Sequence, residues 1–482
     1  MKRQCVVFLW LISAVAAAAQ AALQLDPENP HYFLFRGHPT VLVTSGEHYG
    51  AVINRAFDYV PYLDELQRNH LNLTRLWVGP YRESDSDFSI ANNTLAPLPG
   101  AFIPPWARSQ TPGASDHGNR FDLSRWNPDY FQRLVNFVAA AEKRGIVVEV
   151  NLFCPYYDDS MWKNSPLYIA NNVSGIGDVP RTEVLTLRHP DLVAVEDRMV
   201  RKIVAELNHF DNVYYEICNE PNFGGVTLDW QRRISGVIAE QETKLPVRHL
   251  ISQNIANGSS TIEDPDPRVS IFNFHYSRPP ESVAMNYALN RVVGFNETGF
   301  DGNADATYRI QGWSFLAAGG GLFNNLDYSF TVGHERGDFV TGAKTPGGGS
   351  AALRRQLGEL REFFDRLPLN QMRPANGVLL SGIPNGGAAY VLAKPGSAYL
   401  VYISHTRVET VKKDETRFSI DASPHEAKIV LNLPAGSYRA QWLDPADVHT
   451  IRKLRFSHAG GACTLASPSY GADIALYLRA GH

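Results

Sequence analysis

The chain has 482 residues, 44% hydrophobic and 20% charged, with a net charge of −4. This is ordinary globular composition, long enough for more than one domain, and it argues against extensive disorder. So small a charge gives no polyanion-binding signature, and no nucleic-acid partner is expected.

The first residues, "MKRQCVVFLWLISAVAAAAQA", combine two basic residues, an apolar run and small residues ending at Ala19-Gln20-Ala21. That layout is a secretory signal, so residues 1–21 are set apart from the fold and the mature protein is expected to be secreted or periplasmic. No later segment is long and apolar enough to cross a bilayer. Of the four cysteines, Cys154, Cys218 and Cys463 lie beyond the signal, widely spaced, with neither a disulfide framework nor a zinc pattern. Cys154 and Cys218 sit near the ends of neighbouring expected strands, and two buried free thiols are the expected state.

From about residue 39 to 325, β-rich runs alternate with helical patterns, which predicts a parallel sheet of βα units. Eight strands are expected: "TVLVTS" (40–45), "LNLTRLW" (71–77), "IVVEVNLF" (146–153), "NVYYEICN" (212–219), "RHLISQ" (248–253), "VSIFNFH" (269–275), "RVVGFN" (291–296) and "GGLFNNL" (320–326). Between the third and fourth, Leu192, Val195, Met199, Ile203 and Leu207 recur at helical spacing. Eight such units predict a closed (β/α)₈ barrel. No glycine-rich phosphate fingerprint follows the first strand, so no dinucleotide cofactor is expected. Long Pro-, Gly- and Ser-rich loops after strands two and three are expected to wall the mouth of the barrel.

Near residue 343 "AKTPGGGS" breaks the pattern, and the helix "AALRRQLGELREFFDRL" closes the barrel. Beyond Pro374 short strands such as "AYLVYISH", "KIVLNL" and "DIALYLRA" alternate with turns, predicting a β-sandwich. The expected organisation is therefore a signal over 1–21, a catalytic α/β barrel over 22–371 and an all-β domain over 372–482.

Two carboxylates stand out. Glu220, in "YYEICNEPNF", follows an apolar strand and precedes Pro221, which lacks an amide donor and is expected to end ladder pairing. Glu297, in "VVGFNETGF", lies about 77 residues further on, and again follows a strand and an asparagine. Three βα units of roughly 25 residues fit the interval, placing both acids at strand tips on the mouth face. Two carboxylates flanking one bond are what glycoside hydrolysis requires, and their mutual repulsion is expected to keep one protonated near neutrality.

With these motifs the chain resembles clan A of the retaining glycoside hydrolases, which includes the family 5 cellulase and mannanase group. The resemblance covers about residues 30–340. It implies Glu220 as acid/base, Glu297 as nucleophile, and Asn219 as a partner of the sugar 2-hydroxyl. It also implies Arg75 in "TRLW" near the nucleophile, and His275 and Tyr276 in "FNFHYS" beside the acids, with either ring able to touch Glu297. "LFNNLDYSF" at the eighth strand offers Asn325 and Tyr328 where the clan often has tryptophan. His48 and Tyr49 at the end of strand one, together with Trp77, Tyr81, Trp106 and Trp162, are candidate sugar contacts. Glu47 and the Asp158-Asp159 pair are too sparse for a cation, so no metal is expected.

The expected activity is double-displacement hydrolysis of a β-linked oligo- or polysaccharide. A non-hydrolytic carbohydrate-binding barrel and a transglycosylase are the alternatives. Oligomeric state has no sequence signature.

Overall fold

The computed structural model describes residues 21–46, 49–85, 87–342, 344–412 and 415–481. The expected signal segment, apart from its last residue, and Glu47 and His48 lie outside them.

All eight expected barrel strands are present: β1 (Leu42–Thr44), β2 (Leu73–Trp77), β3 (Val147–Asn151), β4 (Val213–Glu216), β5 (Leu250–Asn257), β6 (Ile271–His275), β7 (Val292–Thr298) and β8 (Leu322–Asn325). Each pairs in parallel with its sequence neighbour from β2 round to β8, and β8 pairs with β1. The seam between β1 and β2 is closed by a side chain. Asn72 donates its backbone N–H to Val43 O (3.2 Å), accepts from Val43 N at Oδ1 (2.8 Å) and donates from Nδ2 to Val41 O (2.9 Å). One amide thus supplies the donor and acceptor that a neighbouring strand backbone would otherwise offer.

The helices α1 (Tyr59–Arg68), α2 (Pro128–Glu142), α3 (Pro190–Leu207), α4 (Leu228–Glu242), α5 (Glu281–Asn286), α6 (Asp305–Ala317) and α7 (Ala351–Asp365) surround the strands. Their starts are chemically marked. Asp58, Asn127, Thr227 and Ser350 each accept from a backbone N–H of the following first turn, which satisfies donors that the helix leaves orphaned. On α3 the expected stripe Leu192, Val195, Met199, Ile203 and Leu207 is buried.

Three short antiparallel strands, Gln24–Leu25, Phe33–Phe35 and His38–Thr40, close the N-terminal end of the barrel. Phe33 and Phe35 join Leu42, Leu73, Val147, Ile271, Val292 and Leu322 in one apolar plug. With that end sealed, the site opens at the other, where the strands end.

Beyond α7 two antiparallel sheets, of six and three strands, form a sandwich. Val401, Ile403, Ile429, Leu431, Trp442 and Leu476 lie between them. The other face of the larger sheet packs on the barrel: Trp313 of α6 stacks on Tyr402 at 5.5 Å, and Phe363 of α7 meets Tyr477 edge-on at 5.8 Å. The strands Thr450–His458 and Gly461–Ala466 and the hairpin Thr406–Lys412/Glu415–Ile420 were not expected from sequence, because the polar residues interspersed along each of them weaken the apolar signal. Cys154, Cys218 and Cys463 are free and buried. Among the described residues no helix is long and apolar enough to cross a membrane.

Candidate active site

The β4 ladder ends at Glu216, earlier than the expected 219. The chain nevertheless stays tied to its neighbours, since Ile217 N donates to Ser252 O and Asn219 N to Phe153 O. The turn occurs at Glu220 itself, whose φ is +37°. The expected reason for the strand's end is therefore corrected: the backbone bends at the acid, and Pro221 only follows the bend.

Glu297 lies inside β7, in register with His275 of β6. A carboxylate oxygen of Glu220, one of Glu297 and a ring nitrogen of His275 all lie within 4.8 Å of one another. Both acids are buried, 8% and 7% exposed. Each is gripped from two sides. Glu220 accepts from Tyr157 OH at Oε2 (2.6 Å), and from Asn257 Nδ2 (2.9 Å) and His275 Nδ1 (3.2 Å) at Oε1. Glu297 accepts from Tyr276 OH at Oε1 (2.7 Å), and from Tyr49 OH (2.9 Å) and Arg75 Nη1 (3.2 Å) at Oε2.

His275 and Tyr276 are adjacent, and in a regular strand adjacent side chains point to opposite faces. Both nevertheless reach the acids, because Tyr276 adopts φ +52° and turns its ring back toward the pocket. Tyr276 makes the direct bond to Glu297, while His275 Nδ1 sits 3.5 Å from the same oxygen and 3.2 Å from Glu220.

Burial disfavours an imidazolium at His275, yet the Glu297 and Glu220 carboxylates outweigh it and raise its pKa. Burial likewise opposes ionisation of Glu220, but hydrogen bonds and charge from His275, then Tyr157 and Asn257, lower its pKa. This modifies the expectation that one of two neighbouring carboxylic acids keeps the proton. Of the His275–Glu220 pair, the imidazole is the stronger base.

Beneath the acids runs a buried polar layer. Arg75 donates from Nε to Glu149 (2.6 Å), and from Nη2 to Glu216 (3.0 Å) and Asn219 Oδ1 (3.0 Å). Glu216 also accepts from Asn273 (2.6 Å) and Asn296 (3.0 Å). Burial, reinforced by the charge of Glu149, raises the Glu216 pKa to about 8. The Oδ1 atoms of Asn273 and Asn296 are buried without a partner, so turning either amide gives a protonated Glu216 an acceptor. Gly294 belongs to this layer, since a Cβ there would meet Asn273 Oδ1 at 2.2 Å.

The pocket above has a cavity volume of about 80 Å³. Its walls include Tyr49, Trp77, Glu83, Phe88, Tyr157 and Tyr328 alongside the two acids. Glu83 comes from the loop after β2, is fixed by Tyr81 OH (2.9 Å) and Asn93, and is raised to about 7, chiefly by burial. Three carboxyl groups and no Lys, Arg or His line this space among the described residues, which disfavours an anionic ligand. At the rim Phe88, Phe223 and Phe300 are 40%, 43% and 59% exposed. Phe88 and Phe223 flank Tyr157 at 5.2 and 5.5 Å, on the side of Glu220, and Phe300 meets Tyr276 at 5.7 Å, on the side of Glu297.

Not every expected contact reaches the pocket. Trp77 does, but Tyr81 is buried behind it, rings 5.1 Å apart, and serves Glu83. Asn325 is fully buried and bonds Ser45 Oγ (2.9 Å), so its side chain belongs to the barrel interior. Trp106 and Trp162 are core residues. Tyr157, Asn257 and Glu83 were not singled out from sequence. Asn257 closes a β5 that runs four residues past its expected end, through an irregularity at Asn254/Ala256. Tyr157 stands in "CPYYDD", just past strand three on the mouth side, and that position was its only signal.

Glu220, His275 and Glu297 also present ligand atoms at metal-like spacing. All four carboxylate oxygens already accept hydrogen bonds from protein donors, so a cation would have to displace them.

No protein-family profile matches the sequence. No curated protein matches it either. Solved structures do match in fold. A candidate glycoside hydrolase from Bacteroides vulgatus ATCC 8482 aligns over 96% of this chain and 83% of its own, with TM-score 0.65 and 14% identity. A structure described as a glycoside hydrolase aligns over 96% and 97%, with TM-score 0.61 and 12% identity. A glycoside hydrolase family 5 protein from Bacteroides vulgatus ATCC 8482 aligns over 96% and 94%, with TM-score 0.60 and 12% identity. At these identities the likeness is one of fold, and it spans barrel and sandwich together.

Proposed function

We propose that the protein is an exported retaining glycoside hydrolase acting on a β-linked, uncharged sugar. The observation that carries this reading is the approach of Glu220 and Glu297 to within 4.8 Å. Retaining enzymes hold their carboxyl groups about 5–5.5 Å apart, whereas inverting enzymes need roughly 6.5–9.5 Å to admit a water. The basic signal-like leader supports export.

In this reading Glu297 is the nucleophile. Tyr49, Tyr276 and Arg75 hydrogen-bond its carboxylate and aim it, and it attacks the anomeric carbon as the glycosidic C–O bond breaks. The leaving oxygen takes a proton from Glu220, which with His275 stores one proton between them. Water then gives a proton to Glu220 and attacks the same carbon, releasing Glu297 and restoring the starting state. Asn219, held by Arg75, is placed to bond the 2-hydroxyl, and Trp77 and Tyr328 to cover the ring. Phe88 and Phe223, beside the acid, receive the leaving group.

Kinetics of Glu297→Ala test the assignment. Turnover of an aryl β-glycoside is expected to fall about 10⁴-fold or more, and added azide to restore it by forming a glycosyl azide of inverted configuration. Undiminished hydrolysis, or no azide product from a folded variant, would overturn it.

A further inference from the structure

The face of the six-stranded sheet that packs on the barrel changes character where it extends past the helices. Arg479, Arg439 and Arg455 stand directly opposite one another on three adjacent strands, Asp473–Ala480, Gly436–Leu443 and Thr450–His458. Lys453 lies on the same face, opposite Gln441, and Arg366 reaches in from the end of α7. All five cations are exposed. Like charges placed opposite in a sheet destabilise it, and no ion pair to any of the five exists among the described residues.

Arg366, Arg439 and Arg479 line a groove of about 600 Å³ between the sandwich and the barrel, to whose walls no described Asp or Glu contributes. It continues along Gln441 and Thr450. The chain as a whole is slightly acidic, and the catalytic pocket carries three carboxyl groups. The basic row is therefore local, and the groove is a separate site.

We propose that this groove binds a linear polysaccharide bearing a carboxylate or sulfate on successive sugars. Neighbouring strands lie about 4.8 Å apart, so the arginines repeat at close to the length of one sugar unit in an extended chain. A groove admits a single chain, whereas a bilayer cannot enter one. Single-stranded nucleic acid is also a linear polyanion, but it needs free aromatic faces for its bases. Of the rings that line it among the described residues, Tyr477 has Arg479 over its face at 5.5 Å and packs against the buried Phe363.

Affinity electrophoresis and sedimentation of the full chain at 0.15 M salt test this, with polygalacturonate, dextran sulfate, neutral dextran, oligo-dT and phosphatidylglycerol vesicles as probes. At least one anionic polysaccharide is expected to bind at least about tenfold tighter than oligo-dT, dextran and vesicles. Arg439→Ser/Arg479→Ser is expected to lose that binding about tenfold or more with an unchanged or raised melting temperature, and Arg439→Lys/Arg479→Lys to keep most of it. No binding, equal binding by the serine variant, or oligo-dT or vesicles binding as tightly as the polysaccharides would overturn the proposal. A fall in melting temperature without loss of binding would do so too, since it would give the arginines a structural role.

Discussion

The imidazole of His275 and the carboxylate of Glu220 share a 3.2 Å contact, and Glu297 approaches the same ring nitrogen at 3.5 Å. One ring therefore answers to both acids.

A pair that shares one proton releases it at a pH no lower than the more basic partner's own value. Because the carboxylates overcome burial to raise the His275 pKa, the proton that the proposed mechanism gives to the leaving group is kept until the pH has risen above the ordinary imidazole value. His275→Asn leaves Glu220 to hold it alone. The alkaline limb of kcat/KM is expected to move down by about one pH unit or more. A pH–rate profile on a substrate with a poor leaving group measures this, and an unmoved limb would separate His275 from the acid's proton.

Phe88 and Phe223 flank Tyr157 on the side of Glu220, where the proposed mechanism puts the departing group. A buried ring contact contributes about 0.5–1.5 kcal/mol beyond area. Phe88→Ala/Phe223→Ala is expected to lower kcat/KM for aryl β-glycosides about tenfold, and to change methyl β-glycosides by less than about twofold. Equal losses on both substrates would place the rings elsewhere in catalysis.

Arg75 is fully buried and donates to Glu149, Glu216 and Glu297 together. Removing one partner of a buried charge network typically costs about 3–5 kcal/mol. Arg75→Met is expected to lose that much in urea denaturation. Arg75→Lys is expected to recover only part, since an ammonium cannot reproduce the planar fork that reaches Glu149, Glu216 and Asn219 together.

Glu216 keeps its proton to about pH 8 when folded, because burial and Glu149 oppose its charge. Its unfolded value lies near 4.5, so the folded state binds the extra proton between those limits. Its contribution is intact below the unfolded value and is lost as pH rises toward 8. Glu216→Gln carries no such charge. Its stability relative to wild type is expected to rise with pH, by at most about 1.4 kcal/mol per unit between 4.5 and 8. Denaturant midpoints at several pH values read the slope, and a constant difference would show that Glu216 is ionised throughout.

The fold was legible because the barrel repeats one physical motif eight times. Apolar strand and amphipathic helix alternate, and the weakest signal was the eighth strand, whose apolar run is short and flanked by glycines and asparagines. Glu220, Glu297, Asn219 and Arg75 could be read because they ride at or just past apolar strands, whose direction fixes which end is the mouth. Tyr157, Glu83 and Asn257 could not, since each depends on how a long loop or an irregular strand end closes. The same limit explains Tyr81 and Asn325: position near the mouth was readable, but the direction of the side chain was not.

Four residues at the mouth, Phe88, Glu220, Tyr276 and Phe300, have φ between +37° and +63°, where side chains with a Cβ incur roughly 1–2 kcal/mol each. Glycine would relax every one of them and delete the group it presents. Thermostability screens that reward calmer backbone torsions would thus drift toward a sturdier, blunted protein, and these four sites should be held fixed in any such campaign.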